Sequence, residues 1–169
     1  FDNSVDSILT LLEKEGAGVL EKHGVLSGGE LRSRVEIMLE HYVKTLNIEA
    51  LTCLQIAKRQ IIPAVVAFSG QVAETVVALK AAGSEHGLAS GLLCRVSALA
   101  GKLDKDVAGL EKTIAAAGGE EAIEKKARAF RDHVLPGMDA VRASADALEA
   151  IVDSKLWPLP SYAEMLFYR

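Results

Sequence analysis

The chain has 169 residues, enough for a sizeable core, and half of them are hydrophobic while only 5% are aromatic, a mix that favours close-packed helices over a sandwich or barrel. A formal net charge of -4, with both signs interspersed, gives a nucleic-acid role no electrostatic support. No apolar run approaches the roughly 20 residues of a membrane span, and Asp2 and Asp6 stand where a secretory signal would carry a basic end.

The chain begins at Phe1 rather than Met, so the expectation is a piece of something longer. Its first predicted helix covers residues 4–22 and is weakened by Gly16 and Gly18. Next comes Val25-Leu26-Ser27-Gly28-Gly29-Glu30-Leu31, close to the Leu-Ser-Gly-Gly-Gln signature of ABC-type ATPases. That signature works only beside a Gly-x4-Gly-Lys-Ser/Thr loop and an apolar strand ending in Asp, and the sequence has neither. Ser27-x-x-Glu30 reads instead as a capping box that opens a very long second helix, residues 30–82.

Three apolar stripes at helical spacing follow. The first is Leu54, Ala57, Ile61, Ala64, Phe68, Val72, Val76, Leu79. The second is Leu88, Leu92, Val96, Leu99, Leu103, Val107, Leu110, Ile114. The third runs Ile123, Ala127, Phe130, Val134, Met138, Val141, Ala145, Leu148, Val152. Gly83-Ser84 separates the first two, with Ser84 expected as an N-cap, and Gly118-Gly119 precedes a helix opening on Glu120, Glu121 and Glu124. Glu121–Lys125 and Glu124–Arg128 are spaced for ion pairs, and the basic cluster reads as a solvated face. Pro63 and Pro136 fall inside stripes that keep their phase, which predicts kinks rather than helix ends.

Cys53 and Cys94 lie in apolar helical patterns and read as buried, reduced thiols of a cytoplasmic protein. The residues three before each His are Leu20, Met38, Gly83 and Phe130, so the Glu-x-x-His ligand pattern of helical di-metal sites is missing. His41-Tyr42-Val43-Lys44-Thr45 comes closest to a phosphotransfer histidine, but Thr45 replaces the needed Gly. The tail, Leu156-Trp157-Pro158-Leu159-Pro160-Ser161-Tyr162, is extended by its prolines. Ser161-x-x-Glu164 then forms a second capping box, and the aromatic-rich end is expected to dock, preferably on the chain's own bundle.

That tail resembles the C-terminus of type III glutamine synthetases, whose chains end in Trp-Pro-x-Pro-x-Tyr…Leu-Phe. Trp157, Pro158, Pro160, Tyr162, Leu166 and Phe167 match it. Two more segments resemble the same region in family order, residues 42–65 and 133–149. They carry Ile48-Glu49-Ala50, Ile61-Ile62-Pro63-Ala64 and Pro136. The resemblance implies a parent enzyme that joins ammonia to glutamate with ATP and magnesium, built as stacked rings of subunits. Its catalytic motifs lie upstream, so no catalytic, cofactor or metal residue is carried over.

The resulting expectation is an all-α, elongated antiparallel bundle with long proline-kinked helices and an aromatic tail. Residues 1–26 form an N-terminal helix and loop, 27–155 the long-helix bundle and 156–169 a docking tail. Glu49, Pro63, Pro136, Trp157, Pro158, Pro160, Tyr162 and Phe167 are its structural marks. The function expected is structural, assembly or regulatory within a cytoplasmic homo-oligomer, with other domains and subunits as partners and neither nucleic acid nor membrane. A helical sensor or protein-interaction module is the alternative, and a metal-binding bundle enzyme a third reading.

Overall fold

A computed structural model describes residues 3–160 and 162–167. Among these the chain is helical, with no strand. In chain order the elements are α1 (Ser4–Leu9), a 3-10 turn (Thr10–Leu12), α2 (Lys14–Lys22) and α3 (Gly28–Ile56). A π-helical turn (Ala57–Ile61) leads into α4 (Ile62–Ala81), followed by α5 (Gly87–Gly118) and α6 (Ile123–Ala129). A second π-helical turn (Phe130–Val134), α7 (Leu135–Glu149) and the short α8 (Tyr162–Leu166) complete the chain.

Two compact units divide these elements. The first holds Phe1–Leu51 and Glu111–Pro136. Its buried side chains follow one stripe of α3 (Leu31, Val35, Leu39, Val43, Leu46, Ala50) and include Val5, Ala127, Phe130 and Val134. The second holds Thr52–Leu110 and Gly137–Arg169. Its core takes Ile61, Val65, Val72 and Val76 from the α4 region, Val96, Leu103 and Val107 from α5, and Val141, Ala145 and Leu148 from α7. Ser144 is fully buried among these apolar neighbours, and its hydroxyl donates to Asp106 Oδ2 at 2.5 Å, linking α7 to α5.

At both prolines the helix widens before it meets the ring. A proline at position i has no N–H, and its ring crowds the carbonyl of residue i−4, here Arg59 or Asp132. Each π-helical turn ends two residues ahead of its proline. Ile62 N–H reaches back to Ala57 O in one, and Leu135 N–H to Phe130 O in the other. The extra residue in the turn displaces the crowded carbonyl, so the helix continues. It also moves the buried stripe: past Pro63 the buried residue is Val65, while the expected Ala64 and Phe68 are only half-buried.

Several helix ends differ from the sequence reading. The single helix expected over residues 4–22 is broken at Glu13, whose extended backbone (φ -71, ψ 155) separates α1 and its 3-10 turn from α2. Ser84 does not cap α5, which starts at Gly87. Its N–H instead closes the preceding helix on Leu79 O, while Gly83, at φ 67, bonds Lys80 O. That pair of bonds is a Schellman termination, and it uses the residue that looked like a start signal. The fourth helix opens at Ile123, so Glu121 precedes the register in which it would meet Lys125; Glu124–Arg128 does form, at 3.4 Å. Leu88, expected on the buried stripe of α5, is 91% exposed in the first turn.

The contrast between Leu103 and Leu88 on one helix gives a direct check. Leu103→Ala, at a fully buried site, should cost about 2–5 kcal/mol. Leu88→Ala should stay within about 0.5 kcal/mol. Urea denaturation of both variants measures this, and equal losses would overturn the assigned face of α5.

Candidate functional site

The start of α3 is the capping box read from the sequence. Ser27 N–H donates to Glu30 Oε2 at 2.8 Å, the Ser27 hydroxyl donates to the same oxygen at 2.7 Å, and Glu30 N–H returns to Ser27 Oγ at 3.4 Å. The hydroxyl and amide that a phosphate would need are occupied in closing a helix end. Bonds from Ser27, its N–H first and its hydroxyl second, hold the Glu30 carboxyl below the usual range.

The densest charged cluster of the first unit lies elsewhere. Asn3 caps α1 by accepting from Asp6 N–H at 2.9 Å and donates its own amide to Asp6 Oδ2 at 2.8 Å. Arg128 Nη1 meets Asp6 Oδ1 at 3.0 Å, and Arg131 Nη1 meets Asp6 Oδ2 at 3.0 Å. Arg131 also forks onto Asp132, through Nε at 2.6 Å and Nη2 at 3.0 Å. The Asn3 amide, then the Arg131 and Arg128 charges, hold the Asp6 carboxyl low, and the Arg131 fork does the same for Asp132. Tyr42, half-buried near Arg131 and Asp132, has its phenol pushed up by burial.

Beside this cluster, Ile8 of α1 and Ile37, Met38, His41, Tyr42 and Thr45 of α3 line an open groove. His41 is exposed there without the glycine that gives a phosphodonor room. Among the described residues no three His, Cys, Asp or Glu side chains gather as a metal site requires. For the magnesium that the resemblance implies for the whole enzyme, the described residues thus offer no cluster of three such donors.

The residues marked by the sequence do not converge. Glu49 and Pro136 fall in the first unit, while Pro63, Trp157, Pro158, Pro160, Tyr162 and Phe167 fall in the second. Glu49, Pro63, Pro136, Pro158 and Pro160 are exposed. Trp157 is half-buried, and its indole Nε1 is shielded from solvent without an acceptor. The second capping box falls on Ser161, outside the described residues, and so does the Tyr162 side chain. The tail expected to settle on the bundle leaves Phe167 78% exposed, with Met165 and Leu166 also outward. A five-residue helix after a proline-spaced turn has too little length to reach back and cover itself.

One membrane expectation also changes. The continuous helix Gly28–Ala81 contains an 18-residue window that is long and apolar enough to cross a membrane, with 22% of it buried. Short runs hid it, because Ser69, Gln71 and Thr75 interrupt the sequence. Two of these turn their hydroxyls inward to the helix, Ser69 on Val65 O at 2.8 Å and Thr75 on Gln71 O at 2.9 Å.

Residues 1–80 match the glutamine synthetase C-terminal domain family. A glutamine synthetase of Butyrivibrio fibrisolvens is 31% identical over 159 residues, covering 92% of this chain and 23% of that protein. Another, from Bacteroides fragilis, is 27% identical over 96% of this chain. The type-3 glutamine synthetase of Dictyostelium discoideum is 27% identical over 97%. The chain spans 23% of the length of each of these relatives. It is related to the C-terminal domain of glutamine synthetases, the type-3 class among them.

Two outcomes follow from the site. Ser27→Ala should lower the melting temperature by about 3 °C through a lost cap, with no change in any ATP affinity measured by titration calorimetry. Nucleotide binding that vanishes in this variant would reinstate the phosphate reading. The depressed carboxyls of Asp6, Glu30, Glu40 and Asp132 set a pH dependence. A folded value below the unfolded one means stability that is present above about pH 4 and lost as pH falls through the lowered values. Thermal melts should therefore decline modestly below about pH 4, as all four carboxyls are largely exposed, and a melting temperature unchanged down to about pH 2.5 would contradict the assignment.

Proposed function

We propose that this chain is the non-catalytic helical C-terminal domain of a type III glutamine synthetase, serving the structure and assembly of the whole enzyme. The observation that carries this reading is apolar surface that the chain itself leaves uncovered. On α4, Val66, Gly70, Ala73 and Val77 recur at helical spacing, and Val66 and Val77 are 63% and 67% exposed. α8 adds Met165 and Leu166, and Phe167 follows directly after it. A helix whose apolar surface extends from its buried face onto the adjoining one needs a partner there too, and exposed apolar patches mark interaction sites. The partners fitting this reading are other domains and subunits of a cytoplasmic homo-oligomer, and protein rather than lipid covers α4. Ligation of ammonia to glutamate with ATP and magnesium belongs, on this reading, to the part of the enzyme outside this chain. The long helices bend at Pro63 and Pro136, which sets the direction of their uncovered faces.

A sensor or interaction module is the second reading. Its last helix should run on toward an output domain, whereas α7 ends at Glu149 and Asp153 folds the chain into a turn, accepting from Lys155 N–H at 2.9 Å.

Val66→Asp with Val77→Asp tests the assignment. In the isolated chain the pair should change stability by no more than about 1 kcal/mol, since neither side chain is buried. In the full-length synthetase it should abolish ring assembly, read by light scattering. Normal assembly of the doubly charged enzyme would remove α4 as an interface. Deleting the chain after Pro160 should likewise leave the isolated domain's melting temperature within about 1 °C. A drop of several degrees would mean the tail is covered by its own bundle after all.

A further inference from the structure

In the N-terminal segment of the first unit few of the described side chains are fully buried. Neither the 3-10 turn nor α2 buries a side chain, and α1 buries only Val5. A six-residue helix has no stability of its own, so its anchor is decisive. Beside Val5 that anchor is Asp6, whose two oxygens each take a different guanidinium, Arg128 at 3.0 Å and Arg131 at 3.0 Å. Arg131 adds a bond to Asn3 Oδ1 at 3.2 Å. The same helix supplies Ile8, one wall of the groove along α3.

Both arginines hold a second carboxylate within their own segment. Arg128 reaches Glu124 at 3.4 Å, and Arg131 reaches Asp132 at 2.6 Å. If α1 left, neither guanidinium would be stranded, so the usual penalty for breaking one side of an ion pair is small. An ion pair with such fallback partners differs from one that fastens a core.

We infer that α1 is a releasable strap, locked by the Asp6–Arg128–Arg131 junction, and that its opening strips Ile8 from the groove along α3 while α3 stays folded. The charged and titratable groups facing the junction are Asp6 on α1, Glu124 and Arg128 on α6, and Arg131, Asp132 and His133 on the π-helical turn. Tyr42 faces it from α3. Since Asp6 and both arginines are partly exposed, salt screens the lock far more than it weakens the packing of α3.

Hydrogen exchange by mass spectrometry on the whole chain reads the strap directly. At neutral pH, raising salt from about 0.05 M to about 1 M should speed exchange of residues 5–12 by roughly three- to ten-fold, with α3 and α5 unchanged. Asp6→Ala should give the same acceleration at low salt, and Arg131→Met a smaller one. Exchange in residues 5–12 that ignores both salt and these substitutions would overturn the strap. So would equal acceleration in α3, which would make the junction a general support of the unit. The salt comparison on the unaltered chain decides the matter even if a variant does not fold.

Discussion

The architecture depends on passing a proline through a helix without losing the helix. Pro63 sits inside the continuous helix Gly28–Ala81, where an ordinary turn would set its ring against Arg59 O. Widening the preceding turn by one residue removes the clash and keeps the backbone bonded. The buried stripe then steps by four and four, from Ala57 to Ile61 to Val65, as a wider turn requires. Pro136 meets the same solution at the same offset, with Phe130 and Val134 buried on the turn. The faces that α4 and α7 present are set by these two turns as much as by their own sequences.

Local rules made much of the chain legible. Ser27 and Glu30 are three residues apart, so a capping box could be read from their identities alone, and the buried residues of α7 follow their spacing. The stripe expected along α4 matches the buried face at Ile61, Val72 and Val76 and misses at Ala64 and Phe68, because a helical wheel assumes every turn is alike and the widened turn brings Val65 inward instead. Ser84 was misread because a serine after a glycine suits either end of a connection. Only the bonds from Ser84 to Leu79 O and from Gly83 to Lys80 O tell which end it serves.

The charged junction was invisible for a different reason. Asp6 lies more than 120 residues from Arg128 and Arg131, and nothing near Asp6 signals them. Read locally, the arginines belong to a solvated face with Glu124 and Asp132, and those pairs do exist. The apolar surface shows the same limit. Composition shows that α4 is apolar, but only burial shows that most of it is left without cover. Kinship with the C-terminal domain of much longer synthetases supplies a physical context for that surface, which a free-standing bundle would be expected to hide.

The bond between Ser144 and Asp106 has a mechanical consequence. Parted from Asp106, the Ser144 hydroxyl could fall back on the carbonyl one turn behind it, as Ser69 does on Val65 O, so sliding α7 along α5 would trade an inter-helix bond for a local one. The bond thereby marks the register of these two helices without locking it. In the second unit the widened turn is Ala57–Ile61, so a bend carried by its helices falls there.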